Sequence, residues 1–156
     1  MAIEAAHSVI IRRPIAAVFA GLTRLDAWRA WRTDTLSARQ TSAGPLGVGA
    51  TFEQTLMVGD GTVVLIGEVI AYEPPRTLAY RAIVGPLPLT YDYTVEATAE
   101  GTRLAVRVDI GDDGTDLGVA TAIARAAPRE LDALAALLDA ESATDVIDHP
   151  IILTSR

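Results

Sequence analysis

One long helix near the end of the chain limits what the rest can fold into. Between Thr115 and Glu141, Leu117, Ala120, Ile123, Ala124, Ala127, Leu131, Leu134, Ala135 and Leu138 recur at intervals of three and four, which lays an apolar stripe along the whole element. Thr115 is placed to cap its N-terminus, with Asp116 in the first turn. At about 1.5 Å per residue the helix spans roughly 40 Å, so only a broad sheet can cover the stripe. The stripe also changes character. Its first half is built from Ala, Gly118, Val119 and Ile123, its second from Leu131, Leu134, Leu137 and Leu138. Small residues leave space and leucines fill it, so this predicts a helix packed tightly at one end and loosely at the other. Pro128, between the halves, removes one backbone hydrogen bond and predicts a kink.

The preceding chain supplies the sheet. Ile3 to Ile11 is rich in β-branched residues and reads as a first strand. Pro14 opens a helix whose apolar stripe is Ile15, Val18, Phe19 and Leu22. Asp26 is placed to cap a second short helix that carries Trp28 and Trp31 on one face. Strands follow near 34–42, 50–58, 62–72, 76–84, 89–98 and 102–110, separated by turn-forming sequences such as the one over 44–49, Gly59-Asp60-Gly61, Pro74-Pro75 and Glu100-Gly101. Connections this short make successive strands antiparallel neighbours. The result is an α+β meander closed by the long helix, with no internal repeat or linker to divide it. Residues 1–141 form one domain on this reading. The segment 142–156 is too apolar for a solvated tail, while Pro150 interrupts a regular element, so it is expected to dock on the domain or on a partner subunit.

Composition excludes several functions. The 156 residues carry a net charge of −7, which argues against nucleic acid or an anionic membrane as the main partner. Without cysteine there is no disulfide, thiolate nucleophile or cysteine metal site. No apolar run reaches membrane-spanning length, and the first residues lack the basic-then-apolar plan of a signal peptide, so the expected location is the cytoplasm.

The ordered motifs resemble a known superfamily. Residues 8–19 (SVIIRRPIAAVF), then Leu22, Asp26, Trp28 and Trp31, the turn 44–49, Gly67-Glu68-Val69, Tyr72 to Arg76, Leu78 to Arg81 and Gly101 to Leu104 look like the START-like, or SRPBCC, superfamily. It includes polyketide cyclase/dehydrase-like, lipid-transport and birch-pollen-allergen types. The resemblance covers roughly residues 3–141 and implies a helix-grip fold, in which a curved antiparallel sheet of about seven strands wraps the long C-terminal helix and two short helices plug one end. It also implies an apolar cavity between sheet and helix for lipids, polyketides or similar molecules. One fold carries many chemistries, so function has to be argued from the residues.

Strand phase decides which side chains reach such a cavity. In 89–98, Leu89, Tyr91, Tyr93, Val95 and Ala97 share one face against Thr90, Asp92, Thr94, Glu96 and Thr98. Leu104, Val106, Val108 and Ile110 face inward by the same rule, as do Leu78 and Tyr80, and Phe52, Gln54, Leu56 and Val58. The expected ligand-contacting set is Trp28, Trp31, Phe52, Gln54, Leu65, Tyr80, Tyr91, Tyr93, Leu104, Val106, Ile123 and Ala127. It suits one mostly apolar ligand with a carbonyl or hydroxyl group. The competing reading is that the tyrosines fill core and the tryptophans plug the barrel end. The glycine-rich loop 44–49 lacks the ending of a phosphate-binding loop and leads into a strand, so it reads as a hairpin connection able to gate a cavity.

Support for catalysis is thin. His7 and His149 have no obvious acid partner in sequence, Asp34, Glu53, Glu68 and Asp92 mostly fall on the outer phase, and no spacing proposes a metal or cofactor. A cyclase or dehydratase would use Tyr91 or Tyr93 to polarise a ketone and a carboxylate or His7 to take a proton. Three functions follow: a carrier of a small hydrophobic molecule, a polyketide cyclase/dehydratase using the same cavity, or a co-chaperone-like interaction module using the outer surface. Strand 62–72 is apolar on both phases, with Val64, Ile66 and Ile70 outward, which suggests a homodimer or cover by the tail.

Overall fold

The computed structural model describes residues 3–85, 87–111 and 117–154, with side chains up to Glu141. Its elements in chain order are β1 (Ile3–Ile11), α1 (Ile15–Thr23), a 3-10 turn (Leu25–Ala30), β2 (Thr35–Gln40), β3 (Thr51–Val58), β4 (Gly61–Glu73), β5 (Thr77–Val84), β6 (Leu89–Thr98), β7 (Gly101–Ile110) and α2 (Leu117–Thr154). The strands form one antiparallel sheet in the order β1-β7-β6-β5-β4-β3-β2. Short hairpins make β2 to β7 a meander, whereas β1 pairs with β7 and sits at the opposite edge from β2. The chain therefore crosses the sheet between β1 and β2, and it does so through α1 and the 3-10 turn, which close one end of the space beside α2. This is the expected helix-grip arrangement.

Alternation builds the inner face as anticipated. Leu89, Tyr91, Tyr93 and Val95 are buried while Asp92, Thr94 and Glu96 are exposed; Ala97, expected inward, is exposed where β6 leaves the core. On β7, Leu104, Val106, Val108 and Ile110 are buried. Leu131, Leu134 and Leu138 of α2 are at most 4% exposed, so the leucine-rich half of the stripe is closed against the sheet and α1. Leu117, expected in the stripe, is exposed at the start of the helix.

Several boundaries differ from expectation. Thr115 and Asp116 lie outside the described residues. The helix does not stop at Glu141 but runs to Thr154, through both Pro128 and Pro150. A proline removes one hydrogen bond of the ladder, and its neighbours' bonds carry the helix past it. The side-chain packing expected of 142–156 falls outside the described residues. Asp26 does not cap the 3-10 turn: Arg24 precedes it without a side-chain cap, and Asp26 sits in the first turn. On the outer face of β4, Val64 and Ile70 are exposed, while Leu65 and Val69 are buried on the inner face.

Gly67 shows how closely the inner face is filled. It pairs with Phe52 across β3 and β4, and a Cβ at this position would overlap the Phe52 ring. That ring is held edge-on against Trp28 and Tyr80, with centroids 5.4 and 4.9 Å away. Gly67→Ala is expected to cost about 1–3 kcal/mol in urea unfolding, the usual range for overpacking, and Phe52→Leu in the same chain to recover part of that loss.

Candidate functional site

A buried charge sits where the two ends of the fold meet. The 3-10 turn puts Trp28 inward, with its indole N–H donating to Leu22 O at 2.9 Å. The backbone N–H groups of Trp31 and Arg32 both return to Trp28 O, at 3.1 and 2.8 Å, so Trp28, Trp31 and Arg32 enter the core together. Each is at most 2% exposed. Arg32 Nε donates to Glu130 Oε1 on α2 at 3.4 Å, and its Nη1 donates to the Tyr80 hydroxyl on β5 at 2.5 Å. Its guanidinium lies 4.6 Å from the ring centroids of both Trp28 and Tyr91. Tyr80, Tyr91 and Tyr93 stack in series at 5.0 and 6.0 Å. One cation thus joins the turn, the sheet and the helix.

Burial dominates the ionisation of this group. It raises the Glu130 carboxyl above its ordinary value, with Arg32 opposing the rise. It raises Tyr80, Tyr91 and Tyr93 well above the usual phenol range, again against the pull of Arg32. For Arg32 itself burial disfavours the charge, but its surroundings outweigh burial and raise it above its ordinary value, and Glu130 is the counter-ion among them.

Beyond this cluster the sheet and α2 separate. A cavity of about 360 Å³ opens between β3, β6 and the first half of α2, lined by Asp34, Leu56, Met57, Val58, Gly59, Tyr91, Val119, Ala122, Ile123, Ala126 and Glu130. Its volume lies within the range of small-molecule sites. It occupies the half of α2 where small residues leave space, and its polar groups are two carboxylates and one phenol. A larger hollow of about 600 Å³ lies elsewhere, on the outer side near Pro75, Arg76, Glu96 and Arg103. Its rim is charged and it shares no lining residue with the Arg32 cluster, so it is the weaker candidate for an apolar molecule. Among the described residues no three His, Asp or Glu side chains converge on a metal site.

Of the twelve side chains expected to meet a ligand, Tyr91 and Ile123 line the cavity. Phe52, Leu65, Tyr80, Tyr93, Leu104, Val106 and Ala127 belong to the closed core, and Trp28 and Trp31 plug its end. Trp31 borders a separate hollow of about 200 Å³ between α1 and α2, and its indole N–H is buried with no hydrogen-bond partner among the described residues. The Gln54 amide, expected as a polar handle, donates to Thr35 Oγ1 at 2.9 Å and is 1% exposed. The loop 44–49 joins β2 to β3 as a hairpin connection but does not border the cavity, so it is not placed to gate it. His7, without a partner nearby in sequence, meets Asp132 of α2 at 3.0 Å on the partly exposed flank of β1. Arg32, Glu130 and Asp34 were not among the expected site residues, and Asp34, assigned with other acids mostly to the outer phase, borders the cavity instead. Glu130 carried a readable signal, since it lies three residues after Ala127 and four before Leu134, within the apolar stripe.

The chain belongs to the polyketide cyclase / dehydrase and lipid transport family, whose model matches residues 2–139. No protein of curated function matches it. Among solved structures it is similar to the Zhui aromatase/cyclase from Streptomyces sp. R1128, with a TM-score of 0.73 at 17% identity over 89% of this chain and 94% of that one. Ara h 8.0201 gives a TM-score of 0.69 at 16% identity, covering 88% of this chain and 98% of that one. The di-domain ARO/CYC StfQ of the steffimycin biosynthetic pathway gives 0.73 at 14% identity, covering 92% of this chain and 52% of that one. Identities this low establish the shared fold.

Two outcomes test the cluster. Arg32→Met leaves Glu130 as a buried, unpaired carboxylate, and Glu130→Leu leaves Arg32 alone; each single change is expected to cost about 3–5 kcal/mol in urea unfolding. The double variant Arg32→Met/Glu130→Leu removes both charges and is expected to recover most of that loss. The second outcome concerns the phenols. Their folded-state values lie above the unfolded value of about 10, so their contribution to stability is intact below that pH and is lost as pH rises above it. In an alkaline titration followed by phenolate absorbance, Tyr80, Tyr91 and Tyr93 should ionise only together with loss of the folded circular-dichroism signal.

Proposed function

We propose that the protein binds a small, mostly apolar molecule in the cavity between β3, β6 and the first half of α2. The observation that carries this reading is the contrast within one helix: Leu131, Leu134 and Leu138 are closed, while Val119, Ala122, Ile123 and Ala126 border about 360 Å³ of space. Leu56 and Val58 supply the opposite apolar wall. A carbonyl on the ligand would find a hydrogen-bond donor in the Tyr91 hydroxyl, and a ligand hydroxyl would find acceptors in Asp34 and Glu130. Membership of a family described by polyketide cyclisation, dehydration and lipid transport agrees with such a ligand.

A second reading, cyclase or dehydratase chemistry in the same cavity, is favoured by one observation. Tyr91, Asp34 and Glu130 share its wall, so a phenol that can polarise a ketone stands beside carboxylates that can accept a proton. The likeness to aromatase/cyclases supports it at the level of fold.

Solvent extraction of the purified protein followed by mass spectrometry tests the first reading, with Ile123→Trp alongside to fill the cavity. The expected result is one apolar compound at near-equimolar level in the wild type and its loss in the variant. Empty extracts from two expression hosts, or equal loading of Ile123→Trp, would contradict it. A recovered compound that changes on incubation with fresh wild type, and stays intact with Tyr91→Phe, would support the second reading.

A further inference from the structure

The polar groups of the cavity are uneven in sign. Its lining holds the carboxylates of Asp34 and Glu130 and the phenol of Tyr91, and no Arg or Lys among the described residues. The nearest cation is Arg32, and it stands behind Glu130 rather than in the wall. It is 1% exposed, its Nε and Nη1 are held by Glu130 and Tyr80, and the Trp28 and Tyr91 rings lie against it. Arg125 and Arg129, on the same stretch of α2, are exposed and lie outside the lining. Arg32 balances one of the two carboxylates, which leaves the other uncompensated. That one is Asp34, exposed at the rim, where it meets a ligand entering the cavity. The net charge of −7 adds a field of the same sign at longer range.

We infer that the cavity selects its ligand by head-group charge: it takes apolar molecules ending in an amine, phenol or alcohol, and it excludes carboxylates such as fatty acids. The inference rests on the cavity-binding reading and narrows it. An ammonium gains attraction to Asp34 and donates to the wall, and a neutral hydroxyl donates without repulsion. A carboxylate meets the uncompensated charge of Asp34 and the acceptor oxygens of Glu130, and the Tyr91 hydroxyl is the only side-chain donor in the described lining.

Three probes with one apolar body separate these cases: naphthylmethylamine, naphthol and naphthoate, titrated into the full-length protein at neutral pH and followed by calorimetry. The amine is expected to bind tightest and the carboxylate at least about tenfold more weakly than the amine, a modest demand for a charge reversal beside an uncompensated acid. Asp34→Asn, a near-isosteric change at an exposed residue whose backbone carbonyl alone accepts a bond from Met57, should shrink the gap between amine and carboxylate several-fold. Naphthoate binding as tightly as the amine, or an Asp34→Asn gap equal to that of the wild type, would overturn charge selection while leaving cavity binding in place. Failure of all three probes would overturn cavity binding and charge selection together.

Discussion

The structure depends on neutralising one buried arginine. Arg32 enters the core because the 3-10 turn that buries Trp28 and Trp31 carries the next residue in with them. A guanidinium removed from water is tolerated only with a counter-ion, hydrogen bonds and polarisable faces around it. Glu130, 98 residues away in sequence, supplies the first, Tyr80 the second, and the Trp28 and Tyr91 rings the third. Such a pair is weak evidence for stability as such. Its geometric consequence is stronger: it fixes which turn of α2 faces which strand, since a rotation of the helix would strand both charges.

That registration divides α2 into two working halves. C-terminal to Glu130 the leucines close against the sheet and α1, and Arg13 donates to Leu138 O while the backbone N–H of Arg12 donates to Asp139, pinning the helix to the end of β1. N-terminal to Glu130 the helix offers Ile123, Val119 and alanines, too small to span the gap to Leu56 and Val58, and the cavity results. Glu130 is therefore part of the cavity wall, and its pair with Arg32 is the seam of the core. Its tyrosines serve both sides, with Tyr93 in the packed region and Tyr91 at the cavity wall.

Much of this was legible in residues taken one element at a time. Alternation in 89–98 placed the tyrosines inward, and the shift from alanine to leucine along α2 located the open end. What sequence could not supply were pairings across long separations. Gln54 looked like a ligand handle because nothing local shows that Thr35, which pairs with Leu56 across β2 and β3, comes within hydrogen-bond reach of its amide. His7 looked solitary until β1 met α2 at Asp132. Tyr80 and Phe52 share an inward phase with Tyr91, yet both belong to the closed core, and phase carries no information about which inward side chains border open space. The end of α2 was placed at Glu141 and 142–156 was set apart as a tail interrupted at Pro150, whereas one missing hydrogen bond does not end an established helix.

The most direct test of a cavity bounded by the Arg32–Glu130 pair is a methyl-resolved NMR titration with naphthol, reading the side chains on both sides of Glu130. The methyl signals of Leu56, Val58, Val119 and Ile123 are expected to move on binding while those of Leu131, Leu134 and Leu138 stay in place. Shifts centred on the three leucines, or spread evenly along α2, would contradict it.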